Sequence, residues 1–220
     1  MSNSKLRANL KQYGYQGFVI RLIKFFLRKI GIKGNSYYYM VNTIDTEARR
    51  QQFEAANLPN VKELSYDDFL SGDPEVFTEK KLEVIRQRFQ DGTYKAYGIV
   101  EDSRLVYSCW ISLRHLESSN KCIEGDLEKN EGLLVDAYCL PSARGRGFHG
   151  AMNAYRIWQL SQNGRSQAIV IVLKENTPAY KSQKKVGFET AFTFYAVTIW
   201  GKTFTNYFTR KKSYQKDVSK

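Results

Sequence analysis

The period of the hydrophobic positions changes several times along the chain, and each change marks a predicted element. Between residues 5 and 33, Phe18, Val19, Leu22, Ile23, Phe26, Leu27 and Ile30 recur with the 3.6-residue period of a helix, while Arg21, Lys24 and Arg28 lie opposite. Tyr37 to Val41 reads as a short aromatic strand. Asp45 or Thr46 caps a polar helix that runs through Ala56 and ends before Pro59. After a strand over Val61 to Leu64 come Asp67 and Asp68, whose place beside a Ser-Gly-Asp-Pro turn at 71–74 assigns them to cap and turn chemistry. An amphipathic helix from Glu75 to Phe89 buries Val76, Leu82, Ile85 and Phe89, and Asp91-Gly92 closes it.

The second half reads as strands broken by two helices. Tyr94 to Val100 and Leu105 to Leu113 are strands joined by the polar turn Glu101-Asp102-Ser103-Arg104. His115 to Asn130 is polar and has no strong period, the kind of loop that selects a substrate when it lies beside a site. An apolar strand over Leu133 to Leu140 stops at Pro141, and a helix with Met152, Tyr155, Ile157 and Leu160 on one face begins after a glycine-rich loop. Gln167 to Leu173 is continuously apolar, as in a strand buried on both faces. Asn176-Thr177-Pro178-Ala179 opens a short helix that ends at Gly187, and from Phe188 the pattern returns to strand through Trp200 and again over 203–208.

The loop between strand and helix carries the chemistry. Arg144, Gly145, Arg146, Gly147, Phe148, His149 and Gly150 lead into a helix start, where unpaired N–H groups and the positive end of the helix dipole favour an anion. Glycine permits positive φ and lets a ligand approach the backbone, and the arginines add positive charge. A phosphate or pyrophosphate is the ligand class implied. No Gly-Lys-Ser/Thr follows, which excludes a nucleoside-triphosphate loop, and the glycine spacing is not that of a dinucleotide fingerprint.

Charge changes the picture at the ends only. The 220 residues carry a net charge of +12 and are 42% hydrophobic, enough for one domain with a sizeable core. Residues 1–34 hold eight Lys/Arg and no acid, residues 209–220 hold five against Asp217, and the stretch between is balanced. This divides the chain into a basic amphipathic segment (1–34), a neutral folded domain (35–208) and a basic tail (209–220). A balanced middle argues against a nucleic-acid-binding face. Charges at Arg21 and Lys24 cut the apolar run short of the roughly 18–20 residues a spanning helix needs, and no small-residue cleavage site follows it. Two readings of 5–33 stay open: peripheral contact with an anionic membrane surface, or docking on the chain's own core or a second subunit. Cys109, Cys122 and Cys139 show no metal-ligand spacing, so no metal is expected, and they read as reduced thiols of a cytoplasmic protein.

In this order, the elements and two motifs resemble the GCN5-related N-acetyltransferase (GNAT) superfamily, over roughly residues 61–208. Arg144-Gly145-Arg146-Gly147 looks like the family's acyl-coenzyme A (acyl-CoA) pyrophosphate loop, and Asn176 stands the family's 11 residues before Gly187-Phe188. The resemblance implies an α/β (α+β) fold: a mixed, mostly antiparallel sheet flanked by helices and splayed between its fourth and fifth strands, Leu133 to Leu140 and Gln167 to Leu173. It further implies acetyl-CoA or another acyl-CoA as cofactor, contacted by the backbone of Tyr138, Cys139 and Leu140, by amides from Arg144 to Gly150, and by Asn176.

The implied activity is N-acetyl transfer to a primary amine of a small molecule, such as an amino sugar or a lipid-linked precursor at the inner membrane face. The alternative is a protein of the same fold that binds acyl-CoA or a membrane with little or no catalysis. An amine needs a base, for which Asp136 and then Glu131 are the candidates. Strand alternation puts Glu131, Leu133, Val135, Ala137 and Cys139 on one face, and Asp136 with Tyr138 on the other. The family often places a proton-donating Tyr four residues before the Gly-Phe pair. Gln183 stands there and cannot act as an acid, which leaves Tyr180 or solvent.

Overall fold

The computed structural model describes residues 23, 25–58, 60–118 and 122–218. The chain divides into two compact units, residues 38–192 and residues 1–37 with 193–220. Of the amphipathic segment expected over 5–33, residues 5–22 and 24 lie outside the described residues. Residues 25–29 are helical, and Ile32 already belongs to the first strand.

Strand β1 (Ile32–Thr43) and strand β9 (Glu189–Ile199) each run through both units. Within residues 38–192 the strand order is β9-β1-β8-β7-β4-β3-β2, with β2 Val61–Glu63, β3 Tyr94–Glu101, β4 Arg104–Ser112, β7 Glu131–Cys139 and β8 Gln167–Leu173. Sequence reading found β1 but not its place between β8 and β9. There Tyr39 stacks on Phe192 with ring centroids 4.6 Å apart, and Asn42 Nδ2 donates to Gly187 O at 2.6 Å. The polar 115–130 stretch contains a hairpin of its own, β5 (His115–Glu117) against β6 (Glu124–Asp126).

Helices cover both faces of this sheet. Helix α1 (Thr46–Ala55) starts at Asp45, whose Oδ1 accepts from Ala48 N at 3.0 Å, and it packs Phe53 on Tyr155 of α4 (Phe148–Gln162). Helix α2 (Tyr66–Leu70) closes a capping box in which Asp68 accepts from Ser65 N at 2.8 Å, so Asp68 does serve as a cap. Helix α3 (Glu79–Asp91) begins four residues later than the pattern suggested and ends on Gly92 at φ 73°. Phe69 and Phe89 from these two helices meet Trp110 of β4 at 5.3 and 5.1 Å, while the adjacent position of the hairpin turns Tyr97 toward Tyr155 of α4. Gly132 is required where α4 descends on β7, since an added Cβ would lie 2.2 Å from Leu160.

The smaller unit pairs β10 (Lys202–Thr205) with β9 across a turn at Trp200 and Gly201, and α6 (Tyr207–Val218) covers most of the basic stretch at 209–220. Helix α5 (Thr177–Lys185) lies in the larger unit, between β8 and β9 in sequence. Among the described residues no helix is long and apolar enough to cross a membrane.

Candidate active site

The site grows out of one strand. Strand β7 is parallel to β8 for three residue pairs, Glu131 to Gln167 through Leu133 to Ile169, and no further. Beyond Leu133 the two strands separate, and β7 leaves backbone groups without a strand partner on that edge. Leu140 N donates to Val106 O at 2.9 Å. By antiparallel alternation the backbone groups of Ala137 and Cys139 therefore face the opened edge, while those of Tyr138 and Leu140 face β4.

A bulge interrupts β7 at Asp136. Cys109 pairs with Ala137 and Trp110 with Val135, so Asp136 is the extra residue, at φ 32°. The bulge breaks the strict two-face alternation expected along this strand: 131–135 are buried and 136–137 exposed. Two arginines hold it. From α4, buried Arg156 donates to Trp110 O at 3.3 Å and Val135 O at 3.2 Å, satisfying carbonyls at the bulge, and it bonds Asn153 on its own helix. From α3, Arg88 reaches Asp136 Oδ2 at 2.7 Å and Glu117 Oε1 at 2.9 Å, with its guanidinium 5.3 Å from the rings of both Tyr94 and Trp110. Sequence reading named neither arginine, because both act through partners that are 21 to 48 residues away in the chain.

Two cavities of about 500 Å3 each divide at this bulge. One is lined by Leu134, Val135 and Asp136 together with Arg88, Asp91, Tyr94, Glu117 and Glu124, so carboxylates dominate its charge. Burial, with the nearby Glu117 carboxylate, pushes the Tyr94 phenol up to about 12. The other is lined by Ala137, Tyr138, Cys139 and the glycine loop Arg144 to Gly150.

The loop has the features its composition suggested. Gly145 and Gly147 adopt φ 86° and 79°, and a Cβ on either would meet no protein atom within 4 Å. Gly147 is the N-cap of α4 and no side chain caps the helix, so the first amides, at Phe148, His149 and Gly150, are left for a ligand. The positive charge is less free than its sequence implied. Arg146 is held in a two-pronged pair with Glu101 at 2.7 and 2.8 Å and lies 4.5 Å over Phe148, whereas Arg144 lines the cavity. His149 Nδ1 and the buried Tyr107 hydroxyl share a hydrogen bond of 3.0 Å. Burial first, then the Arg156 charge, lowers the His149 imidazole to about 4, so it is neutral near pH 7.

Other candidates lie elsewhere. Glu131 is buried at the start of β7, outside both cavities, and accepts from Glu128 N at 3.0 Å. Tyr180 packs on Tyr38 at 4.5 Å and lines neither cavity, and Gln183 is buried. Asn176 is the N-cap of α5, with Oδ1 accepting from Ala179 N at 3.2 Å.

No family model matches the chain, and no curated protein matches it in sequence. Solved structures do match in fold. A conserved protein of unknown function from Staphylococcus epidermidis aligns with 81% of this chain and 66% of its own, at 10% identity and a TM-score of 0.53. A Drosophila protein aligns over 84% and 59%, at 15% identity and a TM-score of 0.52. A protein from Novosphingobium aromaticivorans, described as an acetyltransferase of the GNAT family, aligns over 76% and 66%, at 13% identity and a TM-score of 0.49. This chain therefore spans 59% to 66% of their lengths. At TM-scores of 0.52 and 0.53, the Drosophila and Staphylococcus proteins share this fold. In this fold the parting of β7 from β8, the bulge and the uncapped start of α4 adjoin one another, and they suit a ligand with a phosphate at one end and amide groups along its length.

Proposed function

We propose that the chain is an acetyl-CoA-dependent N-acyltransferase whose acceptor is a primary amine of a small molecule. The observation that carries this reading is the division of the site at Asp136. A phosphate-type cradle lies on one side and a carboxylate-lined cavity on the other, and a single strand supplies both. When bound, acyl-CoA supplies an activated acyl group. The amides at the start of α4, with Arg144, would hold its phosphates, and the backbone edges of Ala137 and Cys139 would meet its amide-bearing arm.

The protein's own part in the chemistry falls to the acid cavity. Amines are cationic near neutrality, and Glu117, Glu124 and Asp91 favour their entry. Asp136 is the base we assign to remove the ammonium proton, since its carboxylate is held at the boundary of the two cavities by Arg88. An amino sugar or a lipid-linked amine fits the acceptor class, with an aromatic wall at Tyr94.

Calorimetry with acetyl-CoA, in salt high enough to suppress nonspecific attraction to the basic ends, tests the cradle. Saturable binding that Gly147→Glu abolishes is expected, followed by free-thiol release with a panel of small primary amines. Failure to bind acetyl-CoA would overturn the reading.

A further inference from the structure

The net charge of the protein resides in one of its two compact units. Residues 1–37 and 193–220 hold fourteen Lys/Arg against the single acid Asp217, while residues 38–192 hold twenty Lys/Arg against twenty-one Asp/Glu. Large apolar side chains are exposed in the same unit. Of the ten exposed among the described residues it carries eight, including Phe25, Phe26, Ile30, Phe204 and Phe208, each more than half exposed, and Trp200 at 82%. Several are joined locally. Trp200 Nε1 donates to Ile30 O at 3.2 Å, Trp200 N donates to Gly31 O at 3.1 Å, and Lys29 Nζ stands 5.0 Å over the Phe25 ring.

We propose that this unit is a docking surface for an anionic phospholipid bilayer, with Trp200 and the exposed phenylalanines entering the interface and the Lys/Arg side chains facing the headgroups. Charge decides among occupants. A second copy of the chain would bring fourteen basic side chains against fourteen, which is repulsive, whereas an anionic bilayer neutralises them. Trp and Phe beside Lys/Arg is the composition that settles at the boundary of headgroups and acyl chains. Ile23 and Ile30 add aliphatic surface that burial in a bilayer rewards and base stacking does not, and binding to single-stranded RNA is an outcome of the test. The inference does not depend on the acyltransferase reading, because the two cavities lie within residues 38–192.

The test uses the full chain with phosphatidylcholine vesicles, with and without phosphatidylglycerol. Co-sedimentation with the anionic vesicles alone, weakening as salt rises, is expected, together with a blue shift of tryptophan fluorescence. Trp110 is buried and Trp158 packs on Phe53 and Tyr155 within residues 38–192, so the shift should come chiefly from Trp200, and Trp200→Phe should remove most of it while keeping binding. Arg210→Gln with Lys211→Gln and Lys212→Gln should weaken partition by roughly 100-fold, at about five-fold per residue. An unchanged thermal denaturation midpoint would show that the variant is folded. Unchanged fluorescence of the wild-type protein on anionic vesicles would overturn the proposal, as would equal partition onto neutral vesicles. Self-association that buries Trp200, or binding to single-stranded RNA without binding to vesicles, would overturn it too.

Discussion

Asp136→Asn separates a catalytic carboxylate from a structural one. Asn fills nearly the same volume and tolerates the left-handed backbone at φ 32°, so the bulge should persist. What changes is one ion pair. Asp136 is 46% exposed, Arg88 is 11% exposed, and Arg88 keeps Glu117 at 2.9 Å in the variant. For a pair half open to solvent the expected loss is about 1 kcal/mol or less, which for a domain of this size moves the melting temperature by about 2–4 °C. If Asp136 takes the proton from the amine, kcat should fall by about 10²–10⁴-fold while acetyl-CoA affinity is unchanged. Glu117→Gln is the matched control, since it removes the other partner of Arg88 and leaves Asp136 in place. Steady-state thiol release, with calorimetry for the cofactor, reads both variants. Equal and small rate effects in the two would refute a base at Asp136 and leave it as an anchor for Arg88.

Three further outcomes follow from the same geometry. Arg156→Met should remove a donor from the buried carbonyls of Trp110 and Val135 and cost about 2–6 kcal/mol in chemical denaturation, because each unsatisfied buried group costs about 1–3 kcal/mol. Gly147→Ala should cost about 1–2 kcal/mol through strain at φ 79°, since the new methyl meets no protein atom, and should weaken acetyl-CoA binding by calorimetry because the methyl enters the cradle. His149 resists protonation down to about pH 4 when folded but takes a proton near pH 6.5 when unfolded. The wild-type protein should therefore lose about 3 kcal/mol as pH falls through that window, with the contribution complete above it, and His149→Gln should remove that part of the slope.

Much of the fold was legible because its elements follow local periodicity. Strands β3, β4, β7 and β8, the glycine loop and helix α4 fall within a residue or two of where alternation and the 3.6-residue period place them. The loop's positive-φ glycines were legible for the same reason, since a loop that starts a helix with two glycines has few other conformations to serve. What sequence could not give was pairing at a distance. Tyr37 to Val41 shows an aromatic strand but not that β1 enters between β8 and β9. Arg146 shows a charge but not that Glu101, 45 residues earlier, occupies it.

The bulge shows how such long-range pairing makes a site. An extra residue in β7 turns a carboxylate outward at the place where β7 leaves β8, but it also disturbs a ladder that would otherwise satisfy its own carbonyls. A charged guanidinium at Arg156, buried under α4, meets that demand from inside, and a second at Arg88 fixes the carboxylate from outside. Removing the inner arginine should therefore disturb the position of Asp136 as well as stability, whereas removing the outer one should free the carboxylate and leave the backbone bulge standing. A crystal structure of Arg88→Met that showed β7 straightened, with Asp136 returned to negative φ, would contradict this division of labour and make the ion pair the cause of the bulge.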